Sequence, residues 1–210
     1  QLAVLYHAHK RGVDVTAFAN PDYSAKEMEL IVKYFEKGTN ILQYVIPSKE
    51  LMQKYSSQNS GFSLHAYATL VDTLGYLLHE HGINLFPQVM NQLRECTIFD
   101  NKITECVDYI ARALFASKYE PPEKREKTLE AINKLLQVSI LANRFFAYHI
   151  MAELHRGFLE GVDISKYADD AVLERHLDTV REAVVHNMND LIDYIKECNN
   201  CERSTVKHLY

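Results

Sequence analysis

The groups in this chain best suited to chemistry are its thiols, imidazoles and carboxylates, and their spacing limits what they could do. Cys198-Asn199-Asn200-Cys201 has the spacing of half a zinc site or of a redox pair. A complete zinc site needs a second such pair or two nearby histidines. Cys96 and Cys106 stand on opposite sides of a loop, so a four-cysteine site is one reading and plain thiols at a helix end the other. His149–Glu153 and Glu182–His186 are i,i+4 pairs and share a helix face. Di-iron bundles use Glu-x-x-His at i,i+3 with further inward carboxylates, and neither pair has that form. His7/His9 and His79/His81 are spaced i,i+2 and point apart on a helix.

The phosphate-binding, dinucleotide-binding, nucleophile-elbow and zinc-protease patterns are all absent. Asp100-Asn101-Lys102 lacks the glycine and terminal glutamate of a calcium loop. No residue is therefore assigned a catalytic, cofactor-binding or metal role, no cofactor is expected, and the expectation leans away from an enzyme. Asp190, Asp193, Glu197 and Glu202 make the end of the last helix acidic, which reads as a solvated face or a docking surface for a basic partner. Lys124-Arg125-Glu126-Lys127 is the most basic stretch, but an acid interrupts it and it reads as a solvated face. With a net charge of −5, the chain has no global attraction for nucleic acid or anionic lipid.

The elements that must position these groups read as helices throughout. Seven Gly and five Pro in 210 residues are too few for the turns of a sheet-rich fold. A hydrophobic fraction of 47% allows a sizeable core. No apolar run is long enough to cross a bilayer. Sparse cysteines fit a reducing, cytoplasmic compartment. The chain opens at Gln1 inside an apolar-periodic segment (Leu2, Leu5, Tyr6), as expected of a piece cut from something longer.

One pattern recurs four times: Arg11-Gly12-Val13-Asp14-Val15, Lys37-Gly38-Thr39-Asn40-Ile41, His81-Gly82-Ile83-Asn84-Leu85 and Glu160-Gly161-Val162-Asp163-Ile164. Glycine tolerates the left-handed conformation that ends a helix, and the next apolar residue can pack back on the last turn. The Asp or Asn that follows can accept a backbone N–H and open a turn. Each copy predicts a helix stop, a turn and a new start. Gly12 to Asn20 also aligns with Gly161 to Asp169, with Ala17/Lys166 as the one dissimilar pair.

The run Gly12-Val13-Asp14-Val15-Thr16-x-Phe18-Ala19-Asn20-Pro21-x-Tyr23, continuing to Glu27-Met28 and Ile31, resembles a tandem helical repeat. Its pattern, G-h-D-[VI]-[ST]-x-[YF]-A-x-P, occurs in uncharacterised proteins of Gram-positive bacteria, phages and mobile elements. That repeat has a period of about 26 residues, the distance from Gly12 to Gly38 here. The resemblance covers residues 1–41 well and 154–181 loosely. It implies a helical fold and a mobile-element setting, and no activity or functional residue.

The expected fold is all-α: a helical bundle or irregular helical array of about seven to eight helices. Residues 1–56 read as a repeat-like N-terminal part and 62–210 as a helical bundle, or the two as one continuous domain, with the polar stretch 56–61 as linker or mobile loop. Ser24-Ala25-Lys26-Glu27 is a capping box whose helix turns Met28, Ile31, Val32 and Phe35 inward. Pro47-Ser48, Ser63, Phe86 and Pro122 open further helices. The pattern from Pro122 to Glu160 is nearly continuous and reads as one long helix, or as two broken near Ser139 or Gly157. A last helix runs from about Asp170 to Glu197, and Leu177, Val184 and Leu191 offer a heptad seam over 177–195 for homo-oligomerisation. Such an array needs no cofactor, so the expected function is a protein–protein interaction module of a phage or mobile-element protein, modulating a host or defence protein. The alternative is a helical-bundle enzyme, metal-dependent or acting on nucleic acid.

Overall fold

The caps decide where the helices stop. The computed structural model describes residues 1–55 and 62–206, with side chains described as far as Glu197; the expected linker at 56–61 and the thiols of Cys198 and Cys201 lie outside the described residues. Among the described residues there are ten α-helices and no strand. They are α1 (Leu2–Lys10), α2 (Ala25–Glu36), α3 (Ser48–Tyr55), α4 (Leu64–His81), α5 (Phe86–Glu95), α6 (Asn101–Ser117), α7 (Pro122–Val138), α8 (Tyr148–Leu159), α9 (Leu177–Val185) and α10 (Asn189–Val206). The fold is all-α, with more and shorter helices than the apolar periodicity predicts. None of the described helices is long and apolar enough to cross a membrane.

All four glycines of the recurring motif hold left-handed backbone: φ is 82° at Gly12, 82° at Gly38, 67° at Gly82 and 78° at Gly161. At three of them the hydrogen bonds form a Schellman motif. Gly12 N–H donates to His9 O and Val13 N–H to Ala8 O. The same pair recurs as Gly38 to Phe35 with Thr39 to Tyr34, and as Gly161 to Phe158 with Val162 to Gly157. Gly82 departs from this: its N–H reaches Leu78 O, and Ile83 N–H reaches one residue further back, to Leu77 O. After every glycine the Asp or Asn closes a small turn on the backbone N–H two residues on, at 3.0 Å for Asp14, 3.1 Å for Asn40, 3.2 Å for Asn84 and 2.8 Å for Asp163. In three copies the aromatic residue that follows then donates its N–H to the aliphatic carbonyl: Phe18 to Val15, Tyr44 to Ile41 and Tyr167 to Ile164.

The chain forms two compact units, residues 1–112 with 140–145 and residues 113–139 with 146–210. In the first, α2 packs on α4. Tyr34, not Phe35, is the inward residue of α2: its hydroxyl donates to Asp72 at 2.7 Å, and Phe35 is 46% exposed. The Tyr34 ring lies over Gly75, where a Cβ would come within 2.4 Å of Cε2. The capping box at Ser24 is present, and its Glu27 does more than cap. This fully buried carboxylate also accepts from the Ser48 N–H at 2.8 Å and from the Ser48 hydroxyl, so it holds the start of α3 as well as the start of α2.

In the second unit, the long pattern from Pro122 breaks at Ser139, and Gly157 lies inside α8. The continuous last helix expected over 170–197 is not present. Asn187 takes φ 54°, its N–H donates to Val184 O and Met188 N–H to Ala183 O, so α9 ends there in a fifth left-handed cap. Asparagine is the non-glycine residue most tolerant of this conformation. The break interrupts the heptad seam over 177–195, and Leu177 and Val180 are buried within the protein's own core.

Candidate functional site

Gly161 and Asn187 stand as far apart as Gly12 and Gly38, and pairing Gly12 with Gly161 aligns both stretches without a gap. Met28 falls on Leu177, Ile31 on Val180 and Tyr34 on Ala183, and all six are buried. The units α1–α2 and α8–α9 are thus two versions of one arrangement: helix, Schellman cap, small turn, helix. Each version keeps its two helices in contact.

Both versions clasp the end of the first helix to the second with an ion pair, and the polarity is reversed. Arg11 Nε lies 2.6 Å from Glu36 Oε1 in the first, and Arg181 Nη1 lies 2.5 Å from Glu160 Oε2 in the second. Glu160 is the counterpart of Arg11, because each precedes its glycine.

Between α1 and α2 lies an open groove of about 470 Å³. Ala3, Val4 and Val32 give it an apolar floor, and His7, Arg11, Glu29, Lys33 and Glu36 give it a charged rim. The same positions in α8–α9 are Ala152, Glu153 and Arg181, and Arg156, Glu160, Asp178, Glu182 and Val185. There the Val32 position holds Arg181, which is 7% exposed, 2.9 Å from Glu182 and 3.6 Å from Glu153 as well as bonded to Glu160. Burial alone would lower the guanidinium's affinity for its proton; the hydrogen bond it donates to Glu160 and the charges of Glu160, Glu182 and Glu153 outweigh it and raise the pKa. One copy buries a paired charge at this position; the other has a valine lining an open groove.

The outer side of α1 is exposed as well. Of its nine residues Ala8 is the buried one, while Leu2 is 84% and Tyr6 55% exposed on adjacent turns of one face. Lys10 Nζ sits 4.7 Å above the Tyr6 ring. α1 carries no acidic residue and three basic or imidazole groups in its last turn, His7, His9 and Lys10.

The residues singled out from sequence do not converge. His79 bonds Thr39 at 2.9 Å, His81 contacts Tyr76, and Cys106 is buried while Cys96 is half-buried near Gln92. Glu153 belongs to the Arg181 cluster and His149 is exposed. Glu182 and His186 are 3.9 Å apart at the surface. Among the described residues, no group of three or more His, Cys, Asp or Glu is arranged to hold a metal ion. Asp190, Asp193 and Glu197 are exposed on α10. Lys124 pairs with Glu120 at 3.5 Å and the rest of its basic stretch is exposed, beside a shallow groove of about 520 Å³ along α7.

Sequence reasoning missed Arg181 and Asn187. Arg181 sits directly after Val180 in an apolar stripe, where a lone charge is the available signal. The aligned 26-residue spacing was the signal for Asn187. No protein-family model, curated protein or solved structure matches this chain.

Proposed function

We propose that this chain is a protein–protein interaction module whose recognition surface is the outer face of α1 together with the α1–α2 groove. One observation carries the reading: α1 displays Leu2 and Tyr6 to solvent beside a groove with an apolar floor and a charged rim. An apolar patch rimmed by charges is the anatomy of an interface, since the apolar centre supplies affinity and the rim supplies register. Recognition of this kind needs no cofactor. The resemblance of residues 1–41 to repeats of mobile-element proteins supports a host or phage protein as the partner, bound in the cytoplasm to modulate a host or defence function.

A photo-crosslinking amino acid placed at Tyr6, with a control at the exposed Lys127, tests this in a bacterial host lysate. A discrete protein adduct at Tyr6 and none at Lys127 is expected. Adducts at neither position, nor at any other exposed apolar side chain, would overturn the reading. Metal analysis separates the enzyme alternative: stoichiometric zinc or iron, lost on changing Cys198 or His149, would favour it.

A further inference from the structure

We infer that the joint between α9 and α10 is a two-state elbow, bent in this structure and able to straighten into one continuous helix over 177–206. No glycine or proline follows Gly161 in the sequence, so neither helix-breaking residue accounts for the stop. The other four left-handed caps rest on glycine, and this one rests on Asn187 at φ 54°. An L-residue takes that conformation against a bias of about tenfold, less for asparagine than for most.

The joint itself lies in solvent. Val185, His186, Asn187, Met188, Asn189 and Asp190 are all exposed. Its hydrogen bonds are local: Asn187 N–H to Val184 O, Met188 N–H to Ala183 O and Leu191 N–H to Met188 O. A continuous helix would replace each with a bond four residues back. Helical spacing also runs through the break. Val184, Met188, Leu191 and Ile195 stand four, three and four apart, which on an unbroken helix is a single apolar stripe. The bend divides that stripe between two helices.

What favours the bend is an anchor on α10. This helix packs back against Leu173–His176, which precede α9, and Ile192 is 4% exposed. Burying an isoleucine corresponds to a bias of about ten- to a hundredfold. Asp190, in the first turn of α10, suits the positive end of that helix. Straightening gives up the anchor, because a continuous helix carries Ile192 away from Leu173–His176. In return it relieves Asn187 and gives the first N–H groups of α10 intrahelical acceptors. Contributions of similar size oppose each other, so both states are accessible and the bent one is the majority. The elbow decides whether the stripe exists as one surface, and any ligand that prefers one state draws the joint towards it.

Spin labels carried on keto amino acids at Asp178 and Lys196, both exposed, leave the native thiols untouched. Pulsed double electron–electron resonance on the whole 210-residue chain reads the distance between them. A continuous helix sets the two α-carbons about 27 Å apart, and the bend sets them closer. The long distance is expected as a minor population in the parent. Asn187→Ala, which favours helix and penalises the left-handed turn, should enrich it about tenfold or more, and Asn187→Gly should remove it. Ile192→Ala removes the anchor, leaves the turn alone and should enrich the long distance as well. Asn187 is exposed, so its two variants are the deciding pair, with circular dichroism and thermal melting checking that each protein folds. The short distance alone in both Asn187→Ala and Ile192→Ala would make the bend a fixed turn and overturn the inference. A broad spread without the long peak would mean that α10 detaches without straightening, with the same consequence. Neither result touches α1, so the interaction reading stands or falls separately.

Discussion

Val32 and Arg181 occupy one position in two copies of the same helix–loop–helix unit, and the arginine gathers three carboxylates where the valine lines an open groove. Replacing Arg181 with Met keeps the stem and removes the charge. Glu153 and Glu160 would then face each other without a counter-charge, and Glu153, whose side chain is 20% exposed, could not turn fully to water. Glu160 and Glu182 are more exposed and better screened, so the loss is about 2 kcal/mol, below that of a fully buried pair. Urea unfolding measures it. A variant as stable as its parent would show that the guanidinium's ion pairs add nothing to stability.

The five left-handed caps make a paired prediction. A Cβ on Gly161 would meet nothing within 4 Å, so any cost of substitution lies in its φ of 78° and not in a clash. Gly161→Ala should cost about 1 kcal/mol. D-alanine, introduced there by chemical ligation, should cost nothing measurable, because its mirror-image sterics favour positive φ. Asn187→Gly should be neutral or slightly stabilising, since Asn187 already holds φ 54° at some strain. Equal melting of the L- and D-alanine proteins would remove the conformational account of the caps.

The caps were legible because backbone chirality is a local property: Gly between a charged residue and a β-branched one announces its φ whatever packs around it. Helix starts at Ser24, Ser48, Ser63 and Pro122 were legible for the same reason. Long-range choices were not. Nothing local tells α2 to turn Tyr34 inward and leave Phe35 out; that depends on Gly75, far along the chain, having no side chain. The break at Asn187 stayed hidden because asparagine also sits in helices, and only its register against Gly38 identifies it as a cap.

Gly75→Ala sets two effects against each other. In a helix interior alanine is favoured over glycine by about 1 kcal/mol. Here the new methyl would press on the Tyr34 ring, which cannot simply withdraw because its hydroxyl is held by the Asp72 carbonyl and carboxylate at 2.7 and 2.8 Å. Overpacking of this kind costs about 1–3 kcal/mol, so the net change should be destabilising. Adding Tyr34→Leu should recover part of the loss in a double-mutant cycle. A stabilised Gly75→Ala protein would mean that the contact gives way freely.

Glu27→Gln tests whether one carboxylate organises two helix starts. The carboxylate accepts from Ser24 N–H, Ser48 N–H and the Ser48 hydroxyl, all donors, and an amide would present its own N–H₂ to one of them. A buried donor facing a donor should cost about 2 kcal/mol. The loss should appear as faster hydrogen exchange at the N-termini of both α2 and α3. Faster exchange in α2 alone would reduce Glu27 to an ordinary capping residue.

His155 gives the second unit a pH dependence. Burial pushes its imidazole pKa below the ordinary 6.5, and the charge of Glu120 only partly opposes this. The unfolded chain therefore binds the proton more readily than the folded one. The imidazole's contribution to stability is complete above about pH 7 and is lost as the pH falls through 6.5 towards the lower native value. Hydrogen exchange of the α8 amides, converted to opening free energies at pH 7.5 and pH 5, should show a larger fall for the parent than for His155→Gln. Comparing pH slopes removes any constant packing cost of the glutamine, and identical slopes would show that protonation of His155 is not linked to the opening of α8.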